Sequence, residues 1–427
     1  MPLKELIFQN VFWRGLYFLS VFILNIIIAR CFKAEGSGVI YYVVNNLSLL
    51  LLITGASLES GAAYYAAKKE VTEKKIGFFC FLWALVASIF SSICLFVMPK
   101  FILGPAASER AYFVVCIAYV MGFLLINYFS ALFFARQNFF IPNFILLSAN
   151  IAIIFLIVLF DINEFGYGNF VIIYLFSFLL QGILIMLAYF LTSNDSKFGF
   201  LSLKEVKQVS KYSLIALAAN IVFFLVYRVD YWFVQKFCPE AELGNYIQVS
   251  KLGQIFLLVP TMLAAVIFPK TAEKPGEDIQ ASLQSLSRIL MSAYFFVLIL
   301  LVAFGKLLFP FLYGASFNHM YIPFLLLSPG ILSLSTQALL AAYFAGMNKL
   351  KINLTGAIIS LLIIISGDIL FIPLYGINAA AVVSSTGYIC YLGYSLWAYK
   401  KQHDGKLKDF FLIKYSDLSY IHKLVRN

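Results

Sequence analysis

Two apolar runs between residues 228 and 269, each long enough to cross a bilayer, carry Arg228, Asp230 and Lys251. A charge at the bilayer centre costs about 2.5 to 3.5 kcal/mol even on the lenient insertion scale, so such residues face a protein interior or a wet cavity. Arg14, Lys306, Glu59 and Asp368 sit in other apolar runs. Cations at this depth suit an anionic partner, and carboxylates suit a proton or a sodium ion. Arg14 and Asn25, eleven residues apart, fall within about 20° of one another on a helix, and Asn45 and Glu59, fourteen apart, within about 40°. Gln248, Lys251 and Gln254 fill an arc of about 120°. Arg228 and Asp230 are about 200° apart and cannot both serve one partner, which leaves Asp230 open to a structural bridge with Lys251.

The elements that hold these residues are transmembrane helices. The chain has 427 residues, of which 62% are hydrophobic and 12% charged, against about 25% charged in soluble domains. An all-α, multi-pass membrane protein is expected. Twelve spans are predicted, at 8–30, 36–63, 76–98, 111–135, 141–161, 170–192, 211–235, 243–269, 286–309, 320–345, 352–372 and 377–400, each near the roughly 20 residues that a bilayer requires. An even number places both termini on one side. With them inside, cytoplasmic segments hold 22 of the 31 Lys and Arg residues, as the positive-inside rule demands. That bias accounts for most of the net charge of +11 without nucleic acid, since no basic stripe interleaves with aromatics on a soluble face.

Other chemistries find no support. The six cysteines are scattered without CxxC spacing and the three histidines are far apart, so neither a metal site nor a cofactor is expected. No GxxxxGK[ST], GxSxG or HExxH occurs, and an enzyme is not expected. Snorkelling to the interface competes with a functional role for Lys306 and Arg14, and Glu59 can serve simply to neutralise Arg14.

The chain repeats itself. Arg30 and Lys236, and Gly38 and Gly244, are each 206 residues apart, while the FFARQN at 133–138 answers the YFAGMN at 343–348 at an offset of 210, as Gly104 does Gly314 and Gly166 does Gly376. An N-terminal lobe over 1–200, a C-terminal lobe over 201–401 and a cytoplasmic amphipathic tail over 402–427 follow. Two six-helix lobes of like orientation imply a pseudo-two-fold axis along the membrane normal and a central cavity. The 206-residue offset sets Lys251 in the place of Asn45.

Ala29-Arg30 followed by Glu35-Gly36-Ser37-Gly38, then Asp230, Leu243-Gly244-Asn245-Tyr246 and Phe268-Pro269, and finally Ile372-Pro373-Leu374-Tyr375-Gly376-Ile377-Asn378-Ala379-Ala380, resemble Wzx-type polysaccharide flippases of the multidrug/oligosaccharidyl-lipid/polysaccharide exporter superfamily. The resemblance covers about residues 5 to 401. It implies translocation of undecaprenyl-diphosphate-linked oligosaccharide, as in O-antigen and lipopolysaccharide synthesis, across a bacterial cytoplasmic (inner) membrane, by alternating access and with H+ or Na+ coupling. On that reading Arg14, Arg228, Lys251, Lys306, Asn25, Asn45 and Gln248 bind substrate, and Glu59, Asp230 and Asp368 are candidates for the coupling ion. Arg14 with Glu59 would make a cytoplasmic gate or first contact, and Tyr41, Tyr42 and Tyr246 are available to stack on sugars.

Two rivals stay open. One is a cation-coupled drug or metabolite antiporter of the same superfamily, although the intramembrane inventory favours an anionic cargo. The other is a membrane-embedded glycan polymerase or acyltransferase, although the outer loops are short. The tail, with Phe410, Phe411, Tyr415 and Tyr420 among basic residues, suits either the inner membrane surface and its lipids or a polymerase or glycosyltransferase partner.

Overall fold

The computed structural model describes residues 3–68, 70–99, 110–159, 167–193, 199–273, 277–403, 407–412, 414 and 417. Every regular element among them is helical. In order these are α1 (Leu3–Gly55), α2 (Leu58–Ala67), α3 (Glu73–Val97), α4 (Arg110–Ala135), α5 (Phe140–Leu159), α6 (Tyr167–Leu191), α7 (Leu203–Arg228), α8 (Asp230–Phe237), α9 (Glu240–Phe256), α10 (Leu258–Glu273), α11 (Glu277–Tyr313), α12 (Tyr321–Gly346) and α13 (Leu350–Lys400). Ten helical stretches in the described residues are long and apolar enough to span a membrane. The sequence leads one to expect twelve. The difference lies in α1 and α13, which run for 53 and 51 residues and bend at Lys33 (φ 56) and Gly376 (φ 59), so that each takes up two expected spans. Pro373 precedes the second bend, and a left-handed φ at that point costs glycine nothing.

Two compact units divide the chain, Met1–Phe32 with Val39–Ile221, and Lys33–Gly38 with Val222–Asn427. Helix α7 thus begins in the first and ends in the second. The first unit is built round α4, on which Tyr119, Leu124, Leu125, Tyr128, Phe129, Leu132 and Phe133 are all buried. Helices α4 and α6 meet through Gly122 and Gly182, where a Cβ on Gly122 would run into the backbone of Phe178 and Leu179. Helix α3 shows how the faces sort. Inward it presents Gly77, Cys80, Ala84, Ala87, Ser88 and Ser91, and outward Val86, Ile89, Phe90, Ile93 and Phe96. In lipid, apolarity does not drive association; small residues gain close packing and large ones are left to the acyl chains.

The second unit centres on α12, whose buried residues include Phe324, Leu327, Ile331, Leu334, Leu339 and Phe344. Gly330 packs against Ser385 on α13, and Gly346 against Phe268 and Thr271 on α10. The bend at Lys33 delivers a short piece of α1 to this unit. There Ala34 N–H donates to Ser316 Oγ at 3.0 Å, and a Cβ on Gly38 would lie 2.8 Å from Gly244 N. The two glycines that the 206-residue offset equates therefore lie against one another. Gly104 and Gly166 lie outside the described residues; Gly314, with φ +102, and Gly376 adopt the left-handed region.

The chain beyond α13 folds back on this unit. Phe410 is 1% exposed, within a cluster that includes Tyr343, Phe344, Leu392, Leu396 and Tyr399, and its carbonyl accepts from Ser287 Oγ at 3.1 Å. Arg288, on α11, donates from Nε to Asp417 Oδ2 at 2.7 Å and from Nη2 to Asp417 Oδ1 at 2.6 Å. It also reaches the Asp409 carbonyl at 2.5 Å and Ser285 Oγ at 2.9 Å. The hydrogen bonds from Arg288 hold the Asp417 carboxyl down at about 2. Tyr415 and Tyr420 lie outside the described residues.

Candidate functional site

The second unit gathers most of the intramembrane charge and sorts it by sign. Arg228 closes α7, Asp230 opens α8, and Val229 between them joins the two helices. The half-turn offset sends the two side chains to different neighbours. Arg228 turns to α9, where Nη2 donates to Gln254 Oε1 at 3.4 Å, and its guanidinium carbon stands 5.5 Å from the Phe224 ring centre. Lys251, one turn before Gln254, lies within electrostatic reach of Arg228. Gln248 and Gln254 share this helix, and among the described residues their side-chain Nε2 atoms are buried without a hydrogen-bond partner. The result is a cationic group flanked by amide donors, as an anion would require.

Asp230 turns the other way. It is 2% exposed, and its Oδ2 accepts from the Tyr246 hydroxyl and from Ser384 Oγ, the latter at 3.0 Å. Its Oδ1 has no hydrogen-bond partner among the described residues, and no ion pair there includes it. The bridge to Lys251 that the spacing left open is therefore absent from these residues. Asp368, on the first limb of α13, is fully buried, with neither carboxylate oxygen hydrogen-bonded within the described residues. The two acids lie within electrostatic reach of one another and of Tyr246. Two carboxylates in an apolar helix bundle are not both sustained as bare charges. A proton shared between them, or a monovalent cation among the Asp230, Asp368, Ser384 and Tyr246 oxygens, would supply the missing positive charge. No group of three or more acidic, His or Cys residues placed to hold a metal ion occurs among the described residues.

In the first unit the charges are dispersed. The Arg14 guanidinium carbon lies 5.7 Å from the Phe134 ring centre and 5.9 Å from that of Phe18. Glu59 opens α2, within electrostatic reach of Cys80 and Tyr128. No ion pair joins Arg14 to Glu59 among the described residues. The face expected to run from Asn45 to Glu59 presumes one unbroken helix, but α1 ends at Gly55 and Ala56 and Ser57 both take positive φ. Asn45 is fully buried. Asn25 accepts from the Tyr41 hydroxyl at 2.6 Å and donates to Val21 O at 2.9 Å. Tyr41, Tyr42 and Tyr246 are at most 4% exposed, which withdraws them from sugar stacking in this conformation.

Lys306 is not brought to the cluster. It is exposed on α11 between Phe304 and Leu307, which are 60% and 76% exposed, a position that suits snorkelling to the interface. Ser384 and the acid-binding role of Tyr246 escape sequence reasoning. Ser384 is a small residue in an apolar run, and its only signal is helical register with Tyr388 and Tyr391.

No protein-family model matches the sequence, and neither does any curated protein. Solved structures do match in fold. The lipid II flippase MurJ in an inward closed conformation superposes with a TM-score of 0.69 at 16% identity, over 94% of this chain and 89% of that one. A multidrug-resistance MATE transporter of the MOP superfamily, inward-facing, gives 0.67 at 14% identity over 90% and 94%. A MOP-superfamily transporter from Pyrococcus furiosus, with a binding pocket described as reversed in polarity, gives 0.62 at 13% identity over 93% and 95%. These neighbours are transporters and flippases, not enzymes, and the chain shares their fold.

Proposed function

We propose that this protein is a Wzx-type flippase that carries undecaprenyl-diphosphate-linked oligosaccharide units from the inner to the outer leaflet of a bacterial cytoplasmic membrane by alternating access. Both termini are assigned to the cytoplasm. The observation that carries the reading is the Arg228–Lys251 pair, set with Gln254 and Gln248 inside the hydrophobic helices of the second unit. Two neighbouring cations in such a place repel one another, and a diphosphate, with two or more negative charges, is complementary to both. Asn25 and Asn45, bonded or buried in this conformation, are assigned to the sugar head in another conformation of the cycle, and Arg14 to a first contact. The Asp230–Asp368 pair takes the coupling ion, with Glu59 a second acidic candidate in the first unit.

The test is flipping of a fluorescent undecaprenyl-diphosphate oligosaccharide in proteoliposomes, read as the fraction reduced by an impermeant quencher. Lys251→Ala and Arg228→Ala are expected to abolish it at normal protein abundance. Wild-type rates in both variants would overturn the assignment. The acid pair favours one rival, a cation-coupled drug antiporter, and dye efflux that survives both substitutions would select that rival.

A further inference from the structure

The second limb of α13 carries an unusual inner face. Ser384, Tyr388, Tyr391, Ser395 and Tyr399 recur at intervals of four, three, four and four, all at most 5% exposed, and so form one stripe about 22 Å long at 1.5 Å per residue. The opposite face holds Val382, Ile389 and Trp397, each 45% exposed or more. At its upper end the stripe touches the acid pair, since Ser384 Oγ donates to Asp230 and Tyr388 lies within reach of the same carboxylate. At its lower end the Tyr399 ring lies 4.8 Å from that of His403, which shares a hydrogen bond of 2.8 Å with the Tyr343 hydroxyl.

Between these ends Tyr388 donates to Val226 O at 3.4 Å, and Gln337 and Gln284 stand beside Tyr391 and Tyr399. Several polar atoms nonetheless find no partner at hydrogen-bond geometry among the described residues. Tyr391 Oη, Ser395 Oγ and Tyr399 Oη are buried and unsatisfied among the described residues, as are both amide atoms of Gln337 on α12 and Ser360 Oγ on the first limb of α13. Helical serines and threonines usually turn back on a carbonyl one turn earlier. Ser328 and Thr386 do so, at 2.7 and 2.8 Å; Ser360 and Ser395 do not. Gln337 stands beside Tyr391, and Ser360 faces Gly387, so the orphaned atoms are neighbours rather than strays. Buried polar atoms without protein partners are met by ordered water.

We propose that this face of α13 lines a hydrated lane that carries protons between the Asp230–Asp368 pair and the cytoplasmic surface beside His403. Each hop conserves the proton: a carboxyl releases it to the adjoining water, which passes one of its own to the next hydroxyl or water. The carriage of protons rests on the ion-coupled reading above, and the hydration does not.

Hydroxyl-radical footprinting of the full chain in lipid nanodiscs tests the lane, because radicals form at bound water and mark the nearest ring. Tyr391 and Tyr399 are expected to be modified about tenfold faster than Tyr128 and Tyr189, whose burial is equal but whose hydroxyls are satisfied by protein carbonyls and so hold no such water. Equal rates overturn the lane. Ser395→Val keeps the side-chain size close and removes the hydroxyl. It is expected to cut labelling at Tyr391 and to slow proton uptake during substrate flipping by about tenfold. Tyr391 labelling that falls while proton uptake stays at the wild-type rate overturns the carriage, as does a wild-type protein that flips substrate with no proton uptake. The footprint is read without substrate, so a failure of the flippase reading leaves it standing.

Discussion

Replacing Asp417 by Ala is expected to loosen the second unit by an amount that the strap geometry allows one to work out. Arg288 is 4% exposed and Asp417 fully buried, joined by two hydrogen bonds of 2.7 and 2.6 Å. Removing one member of a buried pair leaves the other charge uncompensated, at a cost of about 3 to 5 kcal/mol. Arg288 keeps the Asp409 carbonyl and Ser285 Oγ, which favours the lower figure. For a unit of this size about 3 kcal/mol corresponds to a fall of roughly 6 to 12 °C in Tm, readable from tryptophan fluorescence in detergent. The doubly apolar variant Arg288→Met with Asp417→Leu is expected to recover to within about 1 kcal/mol of wild type, because no charge is then stranded. Acid gives a second handle. The Asp417 carboxyl falls from 3.8 to about 2, so its stabilisation is complete above pH 4 and is lost as the pH drops through 2. That lowering corresponds to about 2.5 kcal/mol at most, less what water at the exposed Lys414 end screens away. A Tm in Asp417→Ala within 2 °C of wild type, or a double variant as unstable as the single one, would refute the reasoning, since about 1 kcal/mol would already exceed that margin.

Further substitutions separate packing from transport. Gly244→Ala places a Cβ against the Ala34 backbone carbonyl and should cost about 1 to 3 kcal/mol, seen as a lower Tm with no gain in activity. Asp368→Asn should leave the protein abundant and make any flipping indifferent to the ion gradient; a gradient dependence equal to wild type would move the coupling site elsewhere. Lys306→Ala, on the exposed face of α11, should flip substrate within about twofold of wild type, since a snorkelling lysine contributes mainly to anchoring.

Much of the helical plan was legible because twenty-residue apolar runs have few alternatives in a membrane. The bend at Gly376 could be read from Pro373 and Gly376. The bend at Lys33 could not, because a lysine gives no sign of a left-handed φ. The same blindness undid the Asn45–Glu59 face, which a break at Ala56–Ser57 interrupts. Among the candidate site residues, Arg228, Asp230 and Lys251 stood out by their cost in lipid, and helical angle rightly forbade Arg228 and Asp230 a common partner. What angle cannot supply is the neighbouring helix. Ser384 and Tyr246 meet Asp230 only because α13 and α9 pack on α8, and the exposed face on which Lys306 sits could not be told from the sequence, which left snorkelling and substrate binding both open.

The short piece of α1 that belongs to the second unit raises a question of timing. Residues Lys33–Gly38 are made early, whereas Gly244 and Ser316, which pack and bond against them, come far later in the chain. At about 5 to 20 residues per second, the interval between Gly38 and Gly244 is roughly 10 to 40 seconds. Throughout it the left-handed turn at Lys33 and the bare flank of Gly38 stand in the membrane without their partners. Assembly of this protein is therefore most exposed at its first helix, and an insertase or lipid that shields that seam during synthesis would raise the yield of folded molecules without touching their final stability.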